Sequence, residues 1–360
     1  MSSVYCVIMA GGKGERFWPC SREDTPKQLL NIVGNEPMIE QTVLRLTPLI
    51  PFQNILIITN AKLVDKMQVL LPQLPPENII GEPCGKDTAP CVALAAGIIK
   101  AKAENEDPVM ILLPADHCIH NVAKLQNDLK LCCQTATENN ALVTIGIPPN
   151  APSPDYGYIE SEEQLAPALF KVKRFIEKPT QEKAVKLLES GNFKWNSGMF
   201  IWKVSTVLTI MQQHAPDLAQ LAEKISSSWK NGSFDTVLPV EYDQCRKISI
   251  DYAIMEKADN IIMREASFDW DDVGNWISLR HHIQTDEQQN VAIGKFESLD
   301  TENCIVYSSD PDHLLCAIDM KNAVIVHTPD ATLICSDKST AKLKDFLKKL
   351  KEEKDMQRYL

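Results

Sequence analysis

The sequence has no apolar run of the ~20 residues that a membrane-spanning helix needs, which excludes a helical membrane protein. It opens on strand-like residues, with no basic leader and no cleavage site, so no export signal is expected. No CxxC pair occurs, and the eleven cysteines are odd in number and scattered from Cys6 to Cys335. Cys6, Cys91, Cys304, Cys316 and Cys335 sit in apolar runs, the usage of a reduced cytoplasmic protein rather than a disulfide framework. An excess of positive charge is also missing. The net charge of -11 argues against broad nucleic-acid binding, which needs a basic footprint. What the chain does have is a core, because 44% of its 360 residues are hydrophobic.

The first half alternates short apolar runs with helical patterns. Strands are expected at Val4–Met9, Ile55–Thr59, Val109–Pro114 and Ala141–Gly146, and helices at Ile39–Pro48, Leu63–Leu70, Ala89–Lys102 and Lys124–Glu138. The strand runs are continuously apolar, which predicts an α/β fold with a mostly parallel, Rossmann-like sheet covered by helices on both faces. A paired extended segment is expected at Gly157–Ser161 and Phe170–Glu177. Helical patterns follow at Gln181–Ser190, Ser205–His214, Asp217–Ser227 and Ser249–Lys257. From Gln288 onward five short β pieces are spaced by Asp, Asn and Pro turns, as in a small all-β unit. Lys338–Lys354 closes the chain as a lysine-rich helix whose charges read as a solvated face. No internal period stands out. The expected division is 1–287 and 288–360.

Directly after the first strand stands Gly11-Gly12-Lys13-Gly14, followed by Arg16, Arg22 and Lys27. Glycines let a backbone turn tightly and approach a ligand, and successive N–H groups can cradle phosphate oxygens. A Walker A loop requires GxxxxGK and Ser or Thr, which is not met. A dinucleotide fingerprint fails because Phe17 stands at its third glycine, which disfavours a nicotinamide dehydrogenase. A glycine loop with cations close behind suits a polyphosphate that is attacked, since guanidinium and ammonium groups can neutralise the leaving phosphates. The plain alternative is a tight turn with surface bases.

GGKGERFWPCSREDTPKQ resembles the signature loop of the sugar-1-phosphate nucleotidyltransferases, and in particular the mannose-1-phosphate guanylyltransferase family. The resemblance continues in order through Glu82-Pro83, Lys86-Asp87-Thr88-Ala89-Pro90, Leu113-Pro114-Ala115-Asp116-His117, Tyr156-Gly157-Tyr158-Ile159-Glu160, Phe175-Ile176-Glu177-Lys178-Pro179, Trp195-Asn196-Ser197-Gly198-Met199-Phe200 and Asp271-Asp272-Val273-Gly274-Asn275-Trp276. It implies the nucleotidyltransferase fold, followed by a short left-handed β-helix-like domain. Bifunctional members of the family add a cupin-type isomerase domain, and this sequence is expected to contain none.

Asp116 follows a strand, at the edge where open α/β sheets bind ligands. It and the distant Asp272 are hard oxygen donors of the kind Mg²⁺ prefers. The resemblance assigns both to Mg²⁺; either alone also reads as a loop-capping aspartate. His117, Cys118 and His120 lack a matching second ligand pair for zinc, and His281-His282 read as helix surface. Glu82 can accept from the adjacent N1–H and N2–H of guanine, or can be a helix-start acid. The resemblance places its segment, with Lys86 and Thr88, at the nucleotide. Lys178 can neutralise a sugar phosphate, Glu177 and Asn196 can bind hydroxyls, and Gly157 allows close backbone approach, although each is equally consistent with turn chemistry. Trp195, Phe200 and Trp202 read as core or pocket wall.

The resemblance thus implies transfer of GMP from GTP to α-D-mannose 1-phosphate. Gly11, Gly12 and Gly14 with Arg16 would hold the triphosphate, and Lys27 would stabilise charge developing between the α-phosphate and pyrophosphate. Alternatives are a different nucleotide or sugar 1-phosphate (heptose, glucose), or a non-catalytic relative that binds sugar nucleotides. Residues 288–360 carry no catalytic constellation, and His313 and His327 stand alone. The apolar faces there imply a homodimer joined through this region.

Overall fold

The computed structural model describes residues 3–12, 14–103 and 106–360. Packing divides it into two compact units. The first takes Met1–Gly11, Val43–Pro114 and Ile119–Trp270. The second takes Gly12–Thr42, Ala115–Cys118 and Asp271–Leu360.

The first unit is built on nine strands: β1 (Val4–Ala10), β2 (Ile55–Asn60), β3 (Ile79–Glu82), β4 (Val109–Pro114), β5 (Leu142–Ile147), β6 (Tyr158–Ala166), β7 (Leu169–Ile176), β8 (Phe193–Lys203) and β9 (Ile261–Glu265). Their order is β3-β2-β1-β4-β8-β5-β9-β7-β6. The run β3-β2-β1-β4 is parallel, with Cys6 opposite both Ile55 and Ile111, so these strands end at one edge of the sheet. Nearly every residue of β1, β2, β4 and β5 is buried, which requires cover on both faces, as the continuous apolar runs predict. The helix Thr88–Lys102 supplies twelve buried residues and packs on the helix Pro216–Asn231.

Strands β3 and β9, at Ile79–Glu82 and Ile261–Glu265, are not expected from the sequence, and three further features depart from the sequence reading. The eleven-residue strand β8 runs antiparallel between β4 and β5 in mid-sheet, where no strand is expected. A helix, Phe234–Asp243, forms around an internal Pro239. Asp251–Met255 is a π-helix rather than part of a regular helix, and it aims Asp251 inward at the cost of regular spacing.

In the second unit, β10 (Val291–Ile293), β12 (Ile305–Ser308) and β14 (Ala323–His327) form one small parallel sheet, with β15 (Thr332–Ser336) antiparallel at its edge. Between them in sequence, β11 (Lys295–Leu299) and β13 (Leu314–Ile318) form a second sheet. This is a β-helix-like stack in which Lys295 sits beside Leu314 and Ile305 beside Val324, each 19 residues on, while the first coil is shorter and sets Val291 beside Ile305, 14 residues on. Corners repeat at the 19-residue interval: Asp300 and Asn303 recur as Asp319 and Asn322, all with φ between 50° and 54°. Asp and Asn tolerate this left-handed conformation best among residues with a side chain. The first expected piece, Val291–Phe296, is split at Gly294 into β10 and the start of β11, while the later four pieces fall where the turn spacing predicts them.

Candidate active site

The glycine loop leaves β1, and its second half belongs to the second unit; Lys13 lies outside the described residues. Gly14 has φ 64°, and a Cβ there would lie 2.4 Å from Lys27 Cβ and 2.5 Å from the Lys27 nitrogen. No residue with a side chain fits this turn, and the contact seats the loop against the turn Lys27–Leu29. Phe17, the residue that breaks the dinucleotide fingerprint, is fully buried edge-on to Trp276 at 5.0 Å, within a cluster that includes Val291, Ile305, Val324 and Val326. Trp18 packs with Leu343 and Leu347 of the helix Leu343–Glu352, and its indole N–H donates to the Tyr359 carbonyl at 2.7 Å. Two aromatic anchors therefore fix the loop on the C-terminal part of its own unit.

Gly14, Glu15, Arg16, Phe17, Lys27, Asp116, His117, Asp272, Gly274 and Lys344 line one open pocket of ≈ 470 Å³. The Lys27 side chain is buried, and its Nζ donates to Asp116 Oδ2 at 2.9 Å, to the Asp116 carbonyl at 3.1 Å and to the Asp272 carbonyl at 2.5 Å. Burial alone would raise the Asp116 carboxyl, but the Lys27 ammonium and His117 outweigh it and hold the group below the usual range. Asp116 is thus ionised at neutral pH.

The neighbouring Asp271 organises the second carboxylate's loop. Its Oδ2 lies 2.8 Å from His281 Nδ1 and 3.2 Å from His282 Nε2, and its carboxylate accepts the Val273 N–H at 2.7 Å. Burial opposes ionisation of Asp271, yet its hydrogen bonds with the two histidines bring it down to about 2. Burial likewise disfavours the His282 cation, but Asp271 and the Cys118 thiol push it up to about 9. The reading of His281-His282 as helix surface holds for the exposed His281 and is corrected for His282. His282 is buried against Asp271, and a salt bridge shapes the turn that carries Asp272.

Asp116 and Asp272 offer only hard oxygen donors to the pocket, and the Lys27 ammonium beside Asp116 favours its anionic form; this set fits Mg²⁺.

Another group of expected residues lies in the first unit. Glu82 ends β3 and is buried, with the Tyr242 hydroxyl donating to its Oε1. Burial lifts its carboxyl to about 7, against the pull of that hydrogen bond. Lys86 Nζ donates to the Asp243 carbonyl at 2.7 Å, and Thr88 Oγ1 accepts the Ile250 N–H at 2.8 Å, so both hold the segment that leads to Asp251. Gly157 stands where a Cβ would meet Glu177 Oε2 at 2.8 Å, and its carbonyl accepts the Asn196 N–H at 2.8 Å. Asn196 Nδ2 donates to Asp251 Oδ1 at 2.8 Å. Burial and the nearby Glu177 charge push Asp251 up to about 6. Lys178 pairs with Glu177 at 3.1 Å and takes φ 37°, a strained value for a lysine. Gly157, Glu177 and Asn196 are thus brought together. Tyr156, Trp195 and Trp270 form an aromatic wall in the same unit, while Phe200 and Trp202 are core.

Sequence reasoning missed Tyr242, Asp251, the Asp271–His282 pair and Lys344. An acid inside the apolar run of residues 249–257 was the available signal for Asp251. Lys344 was submerged in a lysine-rich helix; that face is exposed as expected, yet Lys344 also lines the pocket with Arg16 and Lys27.

An open α/β sheet in one unit, and in the other a pocket lined by the end of the glycine loop, a buried lysine and paired acids, are the features to set beside known proteins. Residues 5–289 match the family described as nucleotidyl transferase, and the chain belongs to that family. Residues 294–350 match the MannoseP isomerase/GMP-like beta-helix domain. The chain is 37% identical over 353 residues to a mannose-1-phosphate guanylyltransferase of Klebsiella pneumoniae, covering 96% of this chain and 74% of that protein. It is 37% identical over 352 residues to one of Escherichia coli, with the same coverage. Among solved structures, a Thermus thermophilus protein described as a mannose-1-phosphate geranyltransferase superposes with TM-score 0.84 at 28% identity, over 97% of this chain and 99% of that one. The protein is a nucleotidyltransferase with a β-helix-like C-terminal region.

Proposed function

We propose that the protein transfers GMP from GTP to α-D-mannose 1-phosphate, giving GDP-mannose and pyrophosphate. The observation that carries this reading is the pocket in which Arg16, Lys27, Asp116 and Asp272 meet behind the glycine loop. A phosphate oxygen of the sugar phosphate attacks the α-phosphorus in line; that P–O bond forms as the α–β P–O bond breaks, and pyrophosphate leaves. Such transfers ask the protein for positioning and charge neutralisation rather than covalent chemistry. The backbone of Gly11, Gly12 and Gly14 cradles the triphosphate, Arg16 and Lys344 draw its outer phosphates, and Lys27 answers the charge that grows on the bridging oxygen. Glu82, with Lys86 and Thr88 nearby in sequence, serves the guanosine. Glu177, Asn196 and Asp251 bind sugar hydroxyls beside Gly157, and Lys178 draws the sugar phosphate. Asp116 and Asp272 would hold Mg²⁺, which when bound neutralises triphosphate charge.

Pyrophosphate release across four nucleoside triphosphates and several sugar 1-phosphates tests the reading. Fastest turnover with GTP and mannose 1-phosphate is expected; equal turnover with glucose 1-phosphate and dTTP would sink it. Asp272→Asn should raise the Mg²⁺ concentration for half-maximal rate at least about tenfold with the thermal transition little changed. An unaltered Mg²⁺ titration would remove Asp272 from the metal site.

Guanine recognition should depend on pH with a defined sign. Only ionised Glu82 can accept from both N1–H and N2–H, and its carboxyl lies at about 7. KM for GTP should therefore rise as pH falls through that value, approaching about tenfold per unit. Glu82→Gln should flatten the profile; a wild-type KM constant from pH 5.5 to 8 contradicts the assignment.

All eleven cysteines are free, and among the described residues no helix is long and apolar enough to cross a membrane; a cytoplasmic site of action is proposed with the function. A homodimer is proposed too. Leu299, Leu314 and Ile318 on β11 and β13 are 60%, 51% and 68% exposed, an apolar face that a second copy would cover. Ile318→Asp with Leu314→Asp should yield a monomer by light scattering, and a wild type that is itself monomeric at micromolar concentration would refute the dimer.

A further inference from the structure

His313 and His327, isolated by sequence, are neighbours in the fold. Their rings stack with centroids 3.7 Å apart and planes 16° from parallel. Asp310 completes a group whose ligand atoms all lie within 4.8 Å of one another. We propose that Asp310, His313 and His327 form a binding site for one divalent transition-metal ion of the Zn²⁺ class, separate from the Mg²⁺ site of the reaction.

The site is assembled by the coil repeat. Asp310 and His313 lie in the turn that leads from β12 into β13, and His327 ends β14, where it pairs with Ser308 of the preceding coil. An ion here would tie one coil to the next.

Supporting contacts already orient the donors. His327 Nδ1 lies 3.0 Å from Thr332 Oγ1; with that hydroxyl accepting, the lone pair stands on Nε2. Asp310 is held on three sides. Its N–H donates to Ser308 Oγ at 3.2 Å, its carbonyl accepts from the same hydroxyl at 2.9 Å, and its Oδ1 accepts the Asp312 N–H at 2.9 Å. The other carboxylate oxygen can serve the ion.

Two imidazoles and one carboxylate select Zn²⁺, Co²⁺ or Ni²⁺ over Mg²⁺ and Ca²⁺, which prefer all-oxygen sets. The fourth position would be water. Ligand atoms on a tetrahedral zinc ion with bonds of ~2.0–2.1 Å stand roughly 3.3 Å apart, so atoms now within 4.8 Å of one another must close by up to about 1.5 Å. The stack must also open, because each lone pair lies in its own ring plane and two parallel rings cannot aim at one ion. Binding therefore has a signature: both histidines change ring environment together.

Full-length protein treated with chelator and then titrated with Zn²⁺ by calorimetry tests the site, with Co²⁺ absorbance as the second probe. One ion per chain is expected at this site, with a higher thermal transition and paired shifts of two histidine Cε1–H signals in NMR spectra. His313→Ala and His327→Ala should each weaken that binding by at least about tenfold, while Mg²⁺-supported pyrophosphate release is unchanged. No saturable Zn²⁺ binding in the wild type would overturn the proposal. So would binding that survives the double replacement undiminished, since it would assign the ion to other residues such as Cys118, His120 and His282, whose ligand atoms also lie within 4.8 Å of one another.

Discussion

Replacing Lys27 with methionine should lower kcat by about 10²–10³, the cost of removing one preorganised donor from a developing charge, with either KM changed only a few-fold. Methionine keeps the buried stem and removes the ammonium, so the loss is one of charge. Lys27 Nζ is placed by three oxygens from two loops, Asp116 Oδ2 and the carbonyls of Asp116 and Asp272, and needs no rearrangement to meet substrate charge. Deprived of that partner, the Asp116 carboxyl should rise toward the ordinary range, since Lys27 is the strongest influence lowering it. Arginine should not rescue, because Gly14 packs against the Lys27 backbone and Cβ and leaves no room for the residue to shift. Steady-state pyrophosphate release decides it. A variant with wild-type kcat removes Lys27 from the chemistry, and one that loses only GTP affinity makes it a ground-state ligand.

Ending the chain after Glu287 should abolish measurable activity, not merely dissociate a dimer. Deletion strips Val291, Ile305, Val324 and Val326 from around Phe17 and Trp276, and Leu343 and Leu347 from around Trp18. Removing large buried side chains from such a core costs about 2–5 kcal/mol each, which exceeds what a fixed loop conformation can absorb. The first unit keeps its own core around the helix Thr88–Lys102 and should retain most far-UV dichroism. Near-UV tryptophan signals should flatten. A truncated enzyme with full kcat would show that the loop holds itself. Lys344→Ala, which leaves the core intact, should by comparison raise KM for GTP with kcat largely kept.

How much of this could be read in the sequence follows from what each signal depends on. Strands β1, β2, β4 and β5 were legible because strands buried on both faces are nearly all apolar, whereas β3 and β9, short and ending in charged residues, did not stand out. Helix Gln181–Ser190 was legible because its cap and its period agree with each other. Strand β8 was not: Trp195-Asn196-Ser197-Gly198 breaks the apolar run in its middle, and its pairing with β4 and β5 is decided by distant segments. The 19-residue coil escaped because only two copies stand side by side, and they share corner residues rather than side chains on the faces. In the candidate site, Lys27 and the acids were visible as motif residues. Asp271 and His282 were not, since their roles exist only once residues ten or more apart are folded together. Asp251 depends on a π-turn that no periodic pattern announces.

The unit that holds the glycine loop is stitched from three stretches of chain, Gly12–Thr42, Ala115–Cys118 and Asp271–Leu360. That has a meaning for recombination between relatives. A chimera that exchanges only the final coils joins one parent's Phe17, Trp18 and Trp276 to the other parent's packing partners, and its lesion would be measured at the triphosphate although no pocket residue except Lys344 was exchanged. Hybrids that carry all three stretches together inherit a matched set. Tolerated crossovers should accordingly concentrate where the chain passes from one unit to the other, and breeding such enzymes for new nucleotides would move the loop and its distant coils as a single heritable block.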